Sequence, residues 1–124
     1  MSHLSVVKTK VRIKDRDILK KALERVADQL GCELVEGGSI RIFGGEMHDA
    51  EFVLDYGSGI GIDVVGDELV VKADFFLVRI SAEQLTRMIK KEYATEAAKL
   101  ALAELGFDVQ EEVSEKTTVL IGVR

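Results

Sequence analysis

The stretch DYGSGIGIDVVGDELVVKADF (residues 55–75) places Gly57, Gly59 and Gly61 at alternate positions in an aliphatic and acidic run. Such spacing raises the question of a phosphate-cradling loop. A nucleotide loop, however, needs its glycines after a strand and directly before a helix whose N-terminus faces the phosphate. Here the next element is another strand: IGIDVV and ELVVKADFFLV flank Gly66-Asp67, which fits a two-residue turn with glycine in the first central position. If Val65 faces Glu68, then Ile60, Ile62, Val64, Leu69, Val71 and Ala73 share one face, while Asp63, Val65, Glu68, Val70, Lys72 and Asp74 share the other. An apolar face backed by a mixed one is the pattern of an antiparallel sheet with one side buried. The three glycines then serve a turn, a bulge or close backbone packing.

Towards the N-terminus, SVVKTKVRI alternates, with Val7, Thr9, Val11 and Ile13 on one side and Val6, Lys8, Lys10 and Arg12 on the other, the period of a half-buried strand. DRDILKKALERVADQLG follows, with Ile18, Leu19, Ala22, Leu23, Val26, Ala27 and Leu30 at helical spacing, Asp15 as N-cap and Gly31 as terminator. CELVE and SIRIFG read as two short strands joined by a hairpin turn at Gly37-Gly38. GEMHDAEFVLDY crosses a polar loop into a strand with Phe52, Leu54 and Tyr56 on one face.

Towards the C-terminus, ISAEQLTRMIKKEYATEAAKLALAELG opens with a capping box from Ser81 to Gln84, and Ile80 and Leu85 form a hydrophobic staple. A helix over 82–105 would be about 36 Å long, comparable with the diameter of the domain, so it must kink or project. Leu85, Met88 and Ile89 define one face, and Ala97, Leu100, Ala101 and Leu105 lie about a third of a turn further round, with Tyr93 between. Three arrangements remain open: a bend near residues 92–95, a second half contacting both the sheet and another subunit, or one helix over a broad curved sheet. In the second, Ala98 and Leu102 are the interface residues.

An internal echo runs through the chain: LGCELVE and SIRIFG after the first helix are answered by LGFDVQE and TTVLIG after the second, and VVK precedes each helix. The echo suggests two β-α-β-β units. The simplest architecture burying all these faces is a single α+β domain over residues 1–124, an antiparallel sheet with both helices packed on one face.

Several short motifs resemble those of a known group. Met1-Ser2-His3-Leu4 opens directly into a strand, Tyr93-Ala94 lies within the second helix, and Gly106-Phe107-Asp108-Val109 leaves it. Together they resemble the family named for hypothetical chloroplast open reading frame thirty-five, with cyanobacterial, plastid, archaeal and phage members. The likeness covers most of the chain but departs at Phe75-Phe76, where family members often carry tryptophan, and in the longer glycine-rich centre. It implies a fold, and it carries over no activity and no site residue.

Composition narrows the classes. With 124 residues, 47% hydrophobic and 31% charged, the chain has the size and make-up of one globular domain that folds without metal or disulfides. A single cysteine, Cys32, precludes an internal disulfide and a cysteine-rich zinc cluster, and reads as a small buried residue. No apolar run approaches the roughly 20 residues that span a bilayer. The opening lacks a secretory signal pattern, so a cytoplasmic location without membrane contact is expected. The absence of asparagine beside abundant Glu, Lys, Ile and Val resembles proteins of hot environments, although the absence of proline argues against it.

Candidate chemistry is sparse. His48, with Glu46, Asp49 and nearby Glu51, offers mixed nitrogen and oxygen ligands, but the spacing matches no closed zinc motif. His3 near a free N-terminus could chelate copper or nickel adventitiously. Asp55, Asp63 and Asp74 occupy comparable positions on neighbouring strands, and a close pair would suit general acid–base work. Lys72 on the Asp63 face favours a plain cross-strand ion pair. Lys8, Lys10 and Arg12 form a basic stripe that Arg41 would extend if its strand lies alongside. No aromatic interleaves them for base stacking, and the net charge of −5 disfavours nucleic acid. The expectation is a non-enzymatic binding or adaptor module without cofactor, self-associating as a dimer, with a protein partner or small ligand. The alternatives are a small carboxylate or metal enzyme of the central strands and a nucleic-acid binder through the first strand.

Overall fold

The structure, a computed structural model, describes residues 4–113 and 118–123. His3 and the opening three residues of the family resemblance therefore lie outside the described residues. The element order is β1 (Ser5–Arg12), α1 (Arg16–Leu30), β2 (Leu34–Arg41), β3 (Met47–Leu54), β4 (Ile60–Val65), β5 (Glu68–Ala73), α2 (Ala82–Glu104), β6 (Asp108–Val113) and β7 (Thr118–Val123). Five strands form an antiparallel sheet in the order β1-β5-β4-β3-β2, and β6-β7 form a separate two-stranded sheet. The α1 crossover carries the chain from one edge to the other, and β2 to β5 then meander back to pair with β1.

The β4-β5 hairpin has the expected register, Val65 opposite Glu68 with Gly66 at φ 66°. Ile60, Ile62, Val64, Leu69, Val71 and Ala73 are consequently all buried on one face. Leu19, Leu23, Val26 and Ala27 of α1 and Leu85 and Ile89 of α2 close on that face in one core, so both helices cover the same side of the sheet. Asp15 caps α1 by accepting from the N–H groups of Asp17 (2.8 Å) and Ile18 (3.2 Å), and Gly31 ends it in the left-handed conformation at φ 70°. Ser81 Oγ accepts from Gln84 N–H at 3.1 Å to start α2, with Ile80 and Leu85 both buried.

Gly37-Gly38 is not a hairpin turn. β2 runs through it as one strand paired with β3 from Leu34–Leu54 to Arg41–Met47, and the turn falls at residues 42–46. Gly37, at φ 65°, instead lets the strand bend, and the far half of the β2-β3 hairpin curls over the sheet face that the helices leave uncovered. There Ile40, Ala50 and Val53 form a second small core with Leu4, from the opposite edge.

This curl accounts for the alternating glycines. A Cβ on Gly59 would lie 3.1 Å from Ile40 Cγ2, and one on Gly61 3.0 Å from the Ala50 Cβ. At Gly57, φ 60°, a Cβ would come 2.5 Å from the Leu77 carbonyl oxygen. The three positions lack side chains because other segments occupy the space, two of them beneath the folded-over hairpin.

α2 runs unbroken for 23 residues, through residues 92–95. Its first half enters the main core through Leu85 and Ile89, and its second half packs on β6 and β7. The two echoing segments thus have the same order of elements but different placement: β2 and β3 join the main sheet, whereas β6 and β7 form their own on the end of the helix.

Candidate functional site

The acidic residues of the central strands separate into structural roles. Asp63 Oδ2 meets Lys72 Nζ at 2.8 Å, both side chains about four-fifths buried, and Asp63 Oδ1 accepts from Glu51 N–H at 2.8 Å. The cross-strand ion pair is the arrangement the alternation pointed to. Asp74 is fully buried and accepts from the N–H groups of Phe43 (2.8 Å) and Phe76 (3.1 Å), tying the β2-β3 turn to the segment leaving β5. Asp49 accepts from Ser39 Oγ at 2.6 Å, and His48 Nε2 sits 3.4 Å from Glu46 without an aligned hydrogen bond. Among the described residues no three His, Cys, Asp or Glu side chains converge as metal ligands.

The strand carrying Arg41 does not lie alongside the basic stripe. Lys8, Lys10 and Arg12 belong to β1 and Arg41 to β2, the two opposite edges of the sheet. Crossover through α1, rather than adjacency of consecutive strands, decides this. The stripe is itself interrupted by a bulge between Lys8 and Arg12, where Lys10 adopts φ 64°, its N–H donates to Glu68 Oε2 at 2.9 Å, and Arg12 pairs with Asp67. Cys32 packs half-buried against the main core; burial, then the Asp55 charge, pushes its thiol pKa up and away from reactivity.

The densest cluster of charge lies where α1, α2 and β6 meet. Arg25 Nε donates to Glu92 Oε2 at 2.6 Å and Nη1 to Glu96 at 3.3 Å, and the guanidinium forms a bidentate pair with Glu111. Gln29 donates to the other Glu92 oxygen at 2.9 Å, and Lys99 reaches Glu96 at 3.4 Å and Glu111 at 3.5 Å. Glu92 is 1% exposed. Nearby, Tyr93 Oη accepts from the N–H groups of Lys14 (3.1 Å) and Asp15 (3.2 Å), fixing the start of α1 to α2. This network was missed in the sequence, though a signal exists: Glu92 falls on the apolar stripe, three residues after Ile89 and seven after Leu85. A cleft of about 580 Å³ beside the network is lined by Lys21, Glu96, Lys99, Leu100 and Phe107.

Hydrogen bonding to Arg25 holds the Glu111 carboxyl below the ordinary glutamate range, outweighing the opposing effect of burial. A depressed carboxylate pKa contributes stability that is present above the unfolded-state value and lost as pH falls through the folded value. Thermal melts are therefore expected to fall more steeply below pH of about 4.3 in the native chain than in Glu111→Gln. Equal losses between neutral and acid pH in both proteins would remove Glu111 from this role.

Exposed large apolar side chains cluster in two regions, apart from the scattered Val6, Val35 and Val65. Phe43, Met47, Phe76 and Leu77 are exposed around the two turns that Asp74 ties together. Leu100 on the second half of α2, Leu105 at its C-cap, and Val119 and Ile121 on β7 are exposed. Ala98 is exposed and Leu102 half-buried on the same stretch of helix. Among the described residues no helix is long and apolar enough to cross a membrane.

Compared with family models, curated proteins and solved structures, the chain matches none. The reading of function therefore rests on the residues themselves.

Proposed function

We infer that the chain is a non-enzymatic binding or adaptor module of the cytoplasm that self-associates as a dimer and presents a second surface to a protein partner or small ligand. The observation carrying this reading is the division of labour among side chains. Asp63, Asp74, Glu92 and Glu111 are each engaged by a partner inside the fold, while apolar side chains are solvent-exposed on the C-terminal helix and hairpin and around the Phe43 and Phe76 turns. Apolar groups clustered in a charged surface are the usual mark of an interaction site. The motifs similar to the chloroplast open-reading-frame family fit the same proposal, since that likeness brings no catalytic residues.

Native mass spectrometry of gently purified protein tests it. A dimer without added mass is the expected result. A monomer at every accessible concentration would overturn self-association, and a stoichiometric metal or small molecule would favour a ligand-dependent or enzymatic role instead.

A further inference from the structure

We propose that the dimer forms by antiparallel pairing of β7 with β7 of a second copy, joining two β6-β7 hairpins into one four-stranded sheet. The proposal rests on the self-association reading above and names its surface. Four strand edges are open among the described residues: β1 and β2 of the main sheet, and β6 and β7 of the small one. Three of them carry devices that discourage pairing. β1 has Lys8 and Lys10 and a bulge, β2 is bent at Gly37, and β6 reads DVQEEV with three carboxylates.

β7 has none of these. It reads TVLIGV without an ionisable residue and pairs with β6 at six consecutive positions without a register shift. Its backbone makes no hydrogen bond among the described residues beyond the β6 ladder. An unguarded, regular, aliphatic edge in a chain that is 31% charged is an edge built to be covered.

The placement of charge in the hairpin suits a second copy as the occupant. β7 can meet itself with no like charges opposed, whereas β6 against β6 would oppose carboxylates. In the order β6-β7-β7-β6 the two acidic strands lie three strand spacings apart, about 14 Å, beyond the screening length of about 8 Å at physiological salt. The pleat permits only registers that oppose like faces. Glu111 of β6 and its partner Leu120 mark the face turned to the helices, and Val119 and Ile121, 50% and 36% exposed, mark the outer one. The register that pairs residues 118–122 puts Leu120 on the two-fold axis and Val119 opposite Ile121 of the second copy, twice. Each hairpin, marginal as a two-stranded sheet, gains two strands.

The test is the dimer dissociation constant of the full chain by light scattering and native mass spectrometry, with circular dichroism to check folding. Val119→Lys and Ile121→Lys substitute exposed positions and should each weaken the dimer about tenfold or more, because each lysine replaces an apolar cross-strand contact and brings like charges together across the axis. The double variant Val119→Lys with Ile121→Glu should recover dimerisation, since each lysine would face a glutamate of the other copy. A dimer indifferent to these changes but weakened by Leu102→Lys would overturn the β7 placement and leave self-association standing. A native chain that stays monomeric would overturn both.

Discussion

Replacing Arg25 by methionine is expected to cost about 3–5 kcal/mol of folding stability, the cost of stripping the partner from a buried carboxylate. Glu92, 1% exposed, would keep only the Gln29 amide, and Glu96 and Glu111 would keep only Lys99. Arg25 retains 28% side-chain exposure, so water can compensate in part and the lower end of the range is expected. The ion network itself is a different quantity. Taking charges out of water offsets much of their attraction, so replacing Arg25, Glu92 and Glu111 together by apolar residues should cost much less than Arg25→Met alone. Urea unfolding at one fixed protein concentration measures both. A loss under about 1 kcal/mol for Arg25→Met, the scale of an exposed pair, would show that the cluster behaves as solvated surface.

Gly57→Ala is the second large effect. Its φ of 60° costs an L-residue about 1–2 kcal/mol, and its Cβ would stand 2.5 Å from the Leu77 carbonyl oxygen, which is backbone and cannot swing aside. Overpacking of this kind adds roughly 1–3 kcal/mol. Gly31 separates the two contributions, because at φ 70° a Cβ there meets nothing within 4 Å. Gly31→Ala should lose only the conformational part, and Gly57→Ala clearly more, as read from urea midpoints of the two variants. Equal losses would mean that the segment at Leu77 yields freely and that the glycine is there for its conformation alone.

Both predictions concern features with unequal visibility in the sequence. Gly57 was readable as a close-approach or turn glycine, because alternating glycines between two strand patterns leave few other uses. Arg25 was not, because its partners lie 67, 71 and 86 residues away and charged residues beside an apolar stripe usually face water. Gly37-Gly38 misled for a related reason. A glycine pair suits a tight turn and a strand bend equally well in local terms, and the choice fell to the longer hairpin that could reach across the sheet and bury Ile40 and Ala50 on Gly59 and Gly61.

Features that depend on neighbours a few residues apart were legible in the chain: the two helices with their caps at Asp15, Gly31 and Ser81, the β4-β5 register about Gly66, and the apolar face that makes this an α+β domain with both helices on one side. Side-chain periods of 3.6 and 2 record those choices locally. The strand order that places β1 and β2 at opposite ends of the sheet, the curl of the β2-β3 hairpin, the separate β6-β7 sheet and the Arg25 network emerge only in the folded molecule. These are contacts between distant segments. They are selected by which apolar faces and charges can be covered together in three dimensions, a sum over the whole molecule that no local window of sequence contains.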